Sequence, residues 1–183
     1  IAPKNIINIL RSSGFTMICV VGMSMVLITG GLDLSIGSIY ALGALMSAIA
    51  MKDWGLPVPV GIAVGLLVGI ACGTVNGFLI VKTGIPPMIV TLGMQYALRG
   101  TVSVLTKGVP VYPLPDAFVN LEATKVFGIP IIVIIAILVV VVGHITLSRT
   151  YFGRSVYALG GNQEAARISG INIGRTKMFV YVL

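Results

Sequence analysis

Charge is what this sequence has least of. Charged side chains make up 9% of the 183 residues, only five of them are acidic, and there is a single histidine, a single tryptophan and two cysteines. Soluble domains carry roughly a quarter charged residues, so the medium around most of this chain is expected to be lipid. The shortage also limits chemistry: His144 has no Cys, His or carboxylate at ligand spacing, and neither a metal nor another cofactor is expected. No Gly-x-x-x-x-Gly-Lys-Ser/Thr phosphate loop occurs, so nucleotide hydrolysis would have to come from another subunit. Alternation over about 10 residues, the mark of a barrel strand, is missing as well. Cys19 and Cys72 both fall inside apolar runs and read as apolar filler.

What the sequence has is apolar length. Hydrophobic residues reach 57%, with a mean hydropathy of +1.07. A spanning helix needs about 20 apolar residues to cross a core of about 30 Å. Such stretches run approximately over 14–29, 36–51, 58–81, 85–105 and 128–148, and another begins at Met178. Helix is the state that satisfies the backbone in lipid. The expected fold is all-α, a polytopic transmembrane bundle of five spans plus the start of a sixth, forming one domain over 1–183. The chain opens on Ile1 and closes inside an apolar run, so it is expected to be a piece of something longer.

The net charge of +7 does not form one basic face, because the positive residues sit in gaps between apolar runs. Topology accounts for them better than nucleic acid does. Between Arg149 and Lys177, five positive side chains face Glu164 alone, which places 149–177 in the cytoplasm. The loop over 106–127 balances Lys107 and Lys125 with Asp116 and Glu122 and is rich in proline, which suits the outside. Working backwards, 82–87 is an inside turn, 52–59 an outside turn, 30–38 an inside or membrane-buried break, and 1–13 starts outside. Lys4 and Arg11 vote against that last placement. A single broken crossing over 14–51 would remove the conflict, but 38 residues of helix stretch to about 57 Å, so two crossings are preferred. Trp54, Tyr40, Tyr112 and Tyr151 fall near span ends, where amphipathic rings anchor, and Arg99 is placed to snorkel outward.

Three stretches stand out. Gly61, Gly65, Gly69, Gly73 and Gly77 recur at every fourth position, a small-xxx-small face that lets a neighbouring helix approach closely; the same face could line a moving gap. The segment Thr29–Ser38 (TGGLDLSIGS) places a carboxylate between two apolar runs. An ionised Asp at mid-bilayer costs about 2.5 to 3.5 kcal/mol on insertion scales, so Asp33 needs partners or water, and Ser35 or Ser38 can cap the helix that follows. Both a capped turn and a discontinuous helix beside a solute route fit this segment. The third is NQEAARISGI, a short helix with Asn162 as cap, Gln163 and Glu164 at its positive end, and Gly170 to stop it. It is either a surface feature or something an external motor grips.

Together with TLGMQYALRG at Thr91 to Gly100, the runs GGLDLSIGS and GRSVYALGGNQEAARISGINI resemble the permeases of ribose-type sugar ABC importers, over essentially the whole chain. The resemblance implies a non-enzymatic transport subunit in a bacterial inner membrane. Its implied partners are cytoplasmic ATPase subunits, a second permease copy as a homodimer, an extracytoplasmic solute-binding protein and a sugar. It also implies a further span before residue 1, which puts 1–13 outside, and several helices after Leu183. Under it, Asn162, Gln163, Glu164, Ala165, Ala166, Arg167, Gly170 and Ile171 form the coupling helix, with Glu164 and Arg167 as polar docking contacts. Polar residues within the spans are the candidates for the solute route: Asp33, Ser35, Asn76, Thr91 and Gln95, with Tyr96 offering a stacking face. Interhelical hydrogen bonding is the duller role for each. Rival readings are a permease for branched-chain amino acids, an ion-driven transporter, which would more often show several buried carboxylates, and an intramembrane enzyme, for which no acid–base pair is in sight.

Overall fold

A computed structural model describes residues 3–126 and 128–183; the parts of the expected outer segments that fall on residues 1, 2 and 127 lie outside the described residues. The chain is helical almost throughout, apart from a two-residue antiparallel hairpin, β1 (Lys125–Val126) with β2 (Ile129–Pro130). Four helices are long and apolar enough to cross a membrane, lying within α1 (Pro3–Ile28), α3 (Val58–Thr83), α4 (Pro87–Thr106) and α6 (Ile131–Arg149). The fifth apolar helix, α2 (Ile36–Lys52), has 17 residues and reaches about 25 Å, short of a full bilayer core. The expected sixth span begins as α9 (Ile173–Val182).

Helix ends follow local chemistry more closely than hydropathy. Gly55 and Gly84, at φ 66° and 69°, end α2 and α3 in the left-handed region that lacks a Cβ penalty for glycine. Pro57 and Pro86 then hold the N-cap positions of α3 and α4, and Pro130 that of α6, where a missing N–H costs nothing. Helix α1 begins at Pro3, eleven residues before the apolar run does, because polar Asn, Arg and Ser interrupt hydropathy without breaking a helix. Likewise α9 starts at Ile173 and carries Arg175 and Lys177 ahead of the apolar run. The loop over 106–127, expected outside, is more structured than its sequence suggests, containing α5 (Asp116–Ala123) and part of the hairpin. The basic segment holds two helices, α7 (Tyr151–Gly161) and α8 (Gln163–Ile168), where one was expected.

Contacts divide the chain into two compact units. The first comprises 1–30 and 117–173. Within it α1 packs on α6, with Gly14 against Ile132 and Gly143 against Val21, so the two helices run parallel. That direction tests the crossing count. With α2, α3 and α4 each crossing between them, α1 and α6 point the same way; had α1 and α2 made one broken crossing, they would be antiparallel. The parallel contact therefore supports two crossings over 14–51.

The second unit comprises 31–116 and 174–183. Its centre is the glycine face of α3, covered by two different partners. Helix α2 runs antiparallel along the first half: a Cβ on Gly61 would strike Met51 Cγ, one on Gly65 would lie 2.8 Å from Gly43 O, and one on Gly69 would lie 3.9 Å from Ile39 Cγ2. Helix α9 takes the second half, where a Cβ on Gly73 would strike the Tyr181 carbonyl and one on Gly77 would lie 2.9 Å from Met178 Sδ. Four of the five glycines are thus required by close approach, whereas Gly69 has room for a methyl group. Between the two covering helices lies the break at 31–35.

Candidate functional site

At the end of α1 the chain turns out of helix on its own hydrogen bonds: Thr29 Oγ1 donates to Val26 O at 2.8 Å, Gly30 N to Leu27 O at 2.9 Å. Gly30 adopts φ 77°, and helix resumes only at Ile36. The carboxylate between is held by its own neighbour. Asp33 Oδ1 accepts from Ser35 N at 2.7 Å and from Ser35 Oγ at 2.6 Å, short charge-assisted bonds of the stronger kind. Ser35 occupies the N-cap position of α2 without a side-chain capping bond. The expectation that Ser35 or Ser38 caps this helix is corrected: Ser35 spends its hydroxyl on Asp33, and among the described residues Ser38 Oγ has no hydrogen-bond partner.

Two distant helices close on the break. Asn76 of α3 donates Nδ2 to Ser35 Oγ at 2.9 Å. Thr91 of α4 accepts from Leu34 N at 3.2 Å and reaches Leu32 O at 3.3 Å. Ser35, Asn76 and Thr91 are all 0% exposed, so the backbone of an unwound segment is satisfied inside protein, as lipid requires. Asp33 remains partly exposed at the edge of this cluster. Four of the six expected pathway residues, Asp33, Ser35, Asn76 and Thr91, therefore form one hydrogen-bonded group. Gln95 lies a turn beyond Thr91 on α4 and is partly exposed, and Tyr96 is 68% exposed; neither belongs to that group.

Tyr181 of α9 is the residue that sequence reasoning missed. It is buried, and among the described residues its hydroxyl lacks a hydrogen-bond partner. Only its place in a just-begun apolar run marked it in the sequence, and that pattern carries no hint of neighbours far upstream.

The second candidate region is built on α7. Thr150 caps it by accepting from Gly153 N at 3.1 Å while donating to Thr146 O at 2.6 Å, which turns the chain sharply out of α6. Gly160 then lies on the Ile28 carbonyl, with no room for a Cβ, pinning α7 to the end of α1. Asn162 follows in an extended conformation and caps α8, accepting from Glu164 N at 3.0 Å and Ala165 N at 2.9 Å. Gly170, at φ 82°, stops it, and Ile171 N donates back to Ala166 O at 3.0 Å. Helix α8 is shorter than the expected 162–171, with Asn162 and Ser169–Ile171 serving as its caps. Ala166 is buried, while Glu164 and Arg167 stand exposed and pair with each other at 2.7 Å. Ile168, outside the expected set, is 80% exposed, an apolar side chain that the described residues leave largely uncovered.

The family model for the branched-chain amino acid transport system / permease component matches residues 5–183. The ribose import permease protein of Haemophilus influenzae is 37% identical over 98% of this chain and 56% of its own length. The D-allose transport system permease protein of Escherichia coli K12 is 34% identical over 100% of this chain and 56% of its own. The autoinducer 2 import system permease protein of Yersinia pestis is 34% identical over 97% of this chain, again covering 56% of its own length. The chain therefore spans a little over half the length of these relatives. No solved structure matches it.

Proposed function

Since the chain belongs to the family of branched-chain amino acid transport system permease components, we propose that it is part of the membrane-spanning permease subunit of an ATP-driven bacterial importer of a monosaccharide such as ribose or allose. The observation that carries the reading is the polar break at 31–35, with Gly31 and Ser35 buried and the segment tied to Asn76 and Thr91, in a chain whose relatives bear the names of ribose and allose permeases. Discontinuous helices near the bilayer midplane are where transporters place solute sites. The subunit makes and breaks no covalent bond; hydrolysis belongs to a partner.

In this reading segment 149–177 faces the cytoplasm of a cell with the permease in its inner membrane. Helix α8 docks in a groove of the ATPase, with Ile168 as apolar anchor and the Glu164–Arg167 pair at the rim. A second permease copy, identical in sequence, completes the pathway, and an extracytoplasmic binding protein delivers the solute. Uptake of labelled ribose, allose and leucine by cells expressing the full-length permease with its ATPase and binding protein tests this. Ribose or allose uptake is expected; uptake of leucine alone would refute the sugar assignment.

A further inference from the structure

Buried polar groups in proteins are nearly always paired, so unpaired ones call for a reason. Among the described residues, three lie in the unit that contains the break: Ser38 Oγ, Asn76 Oδ1 and the Tyr181 hydroxyl. They come from three helices, α2, α3 and α9, which meet along the stretch of α3 around Gly73 and Asn76. Ser38 sits in the first turn of α2, its N–H on Ser35 O at 2.9 Å. The other half of the Asn76 amide is already on Ser35 Oγ. Tyr181 rests its backbone on Gly73, one turn from Asn76 along the same helix.

Their chemistry is complementary to one kind of group. A hydroxyl donates one hydrogen and accepts others; Asn76 Oδ1 accepts, and the Tyr181 and Ser38 hydroxyls donate. A neutral solute tolerates Asp33, whereas an anionic one does not. All three atoms are closed off here, and separating α9 from α3 would uncover the stretch of α3 that carries Asn76. That contact lies at Gly73 and Gly77, where the Tyr181 backbone and Met178 rest on glycines.

We propose that Asn76 and Tyr181, with Ser38 beside them, receive one hydroxyl group of the neutral, polyhydroxylated solute when α9 parts from α3. The proposal rests on the transport reading above. Water offers the same hydroxyl chemistry, and the experiment separates the two sources.

The complete transporter, with its ATPase subunits and binding protein, is reconstituted in proteoliposomes as wild type and Tyr181→Phe. The substitution removes one oxygen that has no partner among the described residues, so thermal stability is expected to stay at or above wild type. Uptake of labelled ribose, with loaded binding protein saturating, is expected to fall by roughly three- to ten-fold, the scale of one lost hydrogen bond. One monodeoxyribose, lacking the gripped hydroxyl, is expected to be carried equally by both proteins. Undiminished ribose uptake by Tyr181→Phe overturns the inference and leaves the transport reading standing. An equal loss for ribose and every monodeoxy analogue also overturns it, because the hydroxyl would then be that of water. Absence of sugar uptake by the wild type would sink both.

Discussion

Adding a methyl group at Gly73 is the sharpest test of the packing. That methyl would meet the Tyr181 carbonyl, a backbone atom that cannot swing aside as a side chain would. Helix α9 must then retreat by on the order of 1 Å to restore ordinary contact distances. Overpacking of this kind costs about 1–3 kcal/mol. Against it stands the helix-propensity advantage of Ala over Gly, at most about 1 kcal/mol. A net loss of about 1–2 kcal/mol is expected for Gly73→Ala. Four residues earlier the same change meets only Ile39 Cγ2 at 3.9 Å, so Gly69→Ala is expected to be neutral or stabilising by up to about 1 kcal/mol. Reversible unfolding of the full-length protein in mixed micelles by added SDS measures both. If Gly73→Ala matches wild type, or if Gly69→Ala is the more damaging of the two, the assignment of α9 to the second half of the glycine face is wrong.

Thr91→Val should remove the partner of the Leu34 N–H at a cost of about 1 kcal/mol, while Thr91→Ser should cost far less; equal stability of all three proteins in the same unfolding assay would count against the hydrogen bond. Ile168→Ser should weaken capture of the ATPase by the detergent-solubilised permease without altering its own melting temperature, and undiminished capture would remove Ile168 from the interface. Reversing Glu164 or Arg167 singly should change permease stability by no more than about 1 kcal/mol, the ceiling for an exposed pair, yet impair ATPase-coupled uptake; normal uptake in both reversals would refute a docking role. Gly160→Ala should destabilise the contact of α7 with Ile28, read as faster proteolysis within 150–170, and unchanged cleavage would contradict that contact.

The apolar runs located the spans because in lipid hydropathy outweighs every other influence on which residues can cross, and two of them, at 36–51 and 58–81, end within two residues of α2 and α3. Hydropathy fails where a helix leaves the bilayer. Residues 3–13 and 173–177 are polar enough to look like loops while remaining helical, since Asn, Arg, Ser and Lys are disfavoured by lipid far more than by helix geometry. Helix α7 went unread for a related reason: Gly153, Gly160 and Gly161 read as breakers, but Gly153 and Gly160 are there because the Leu147 and Ile28 carbonyls leave no space for a Cβ. The cap of α8 was legible because Asn–x–Glu capping chemistry is local in sequence. The polar cluster was legible in its members, because buried Asn, Thr and Asp stand out in an apolar chain. Its geometry was not, for Asn76 lies 41 residues from Ser35 and Thr91 57 from Leu34, and no periodicity encodes which turn of one helix meets which turn of another.

The glycine face also explains why the break sits where it does. A helix that followed α3 along its whole length would need small residues, or clefts for large ones, over about 39 Å, and it would seal the polar groups on that face of α3 behind it. Helix α2 instead starts at Ile36 and covers α3 from Gly61 to Gly69, leaving Gly73 and Gly77 to α9. At the changeover Asn76 meets the unwound segment at Ser35 rather than another side-chain ridge. Only a broken segment can bring free N–H and C=O groups to that depth, and only a buried one can do so without exposing them to lipid. The five-glycine repeat and the TGGLDLSIGS break are therefore one device. The first lets two helices share α3, and the second supplies the polar surface in the gap between them.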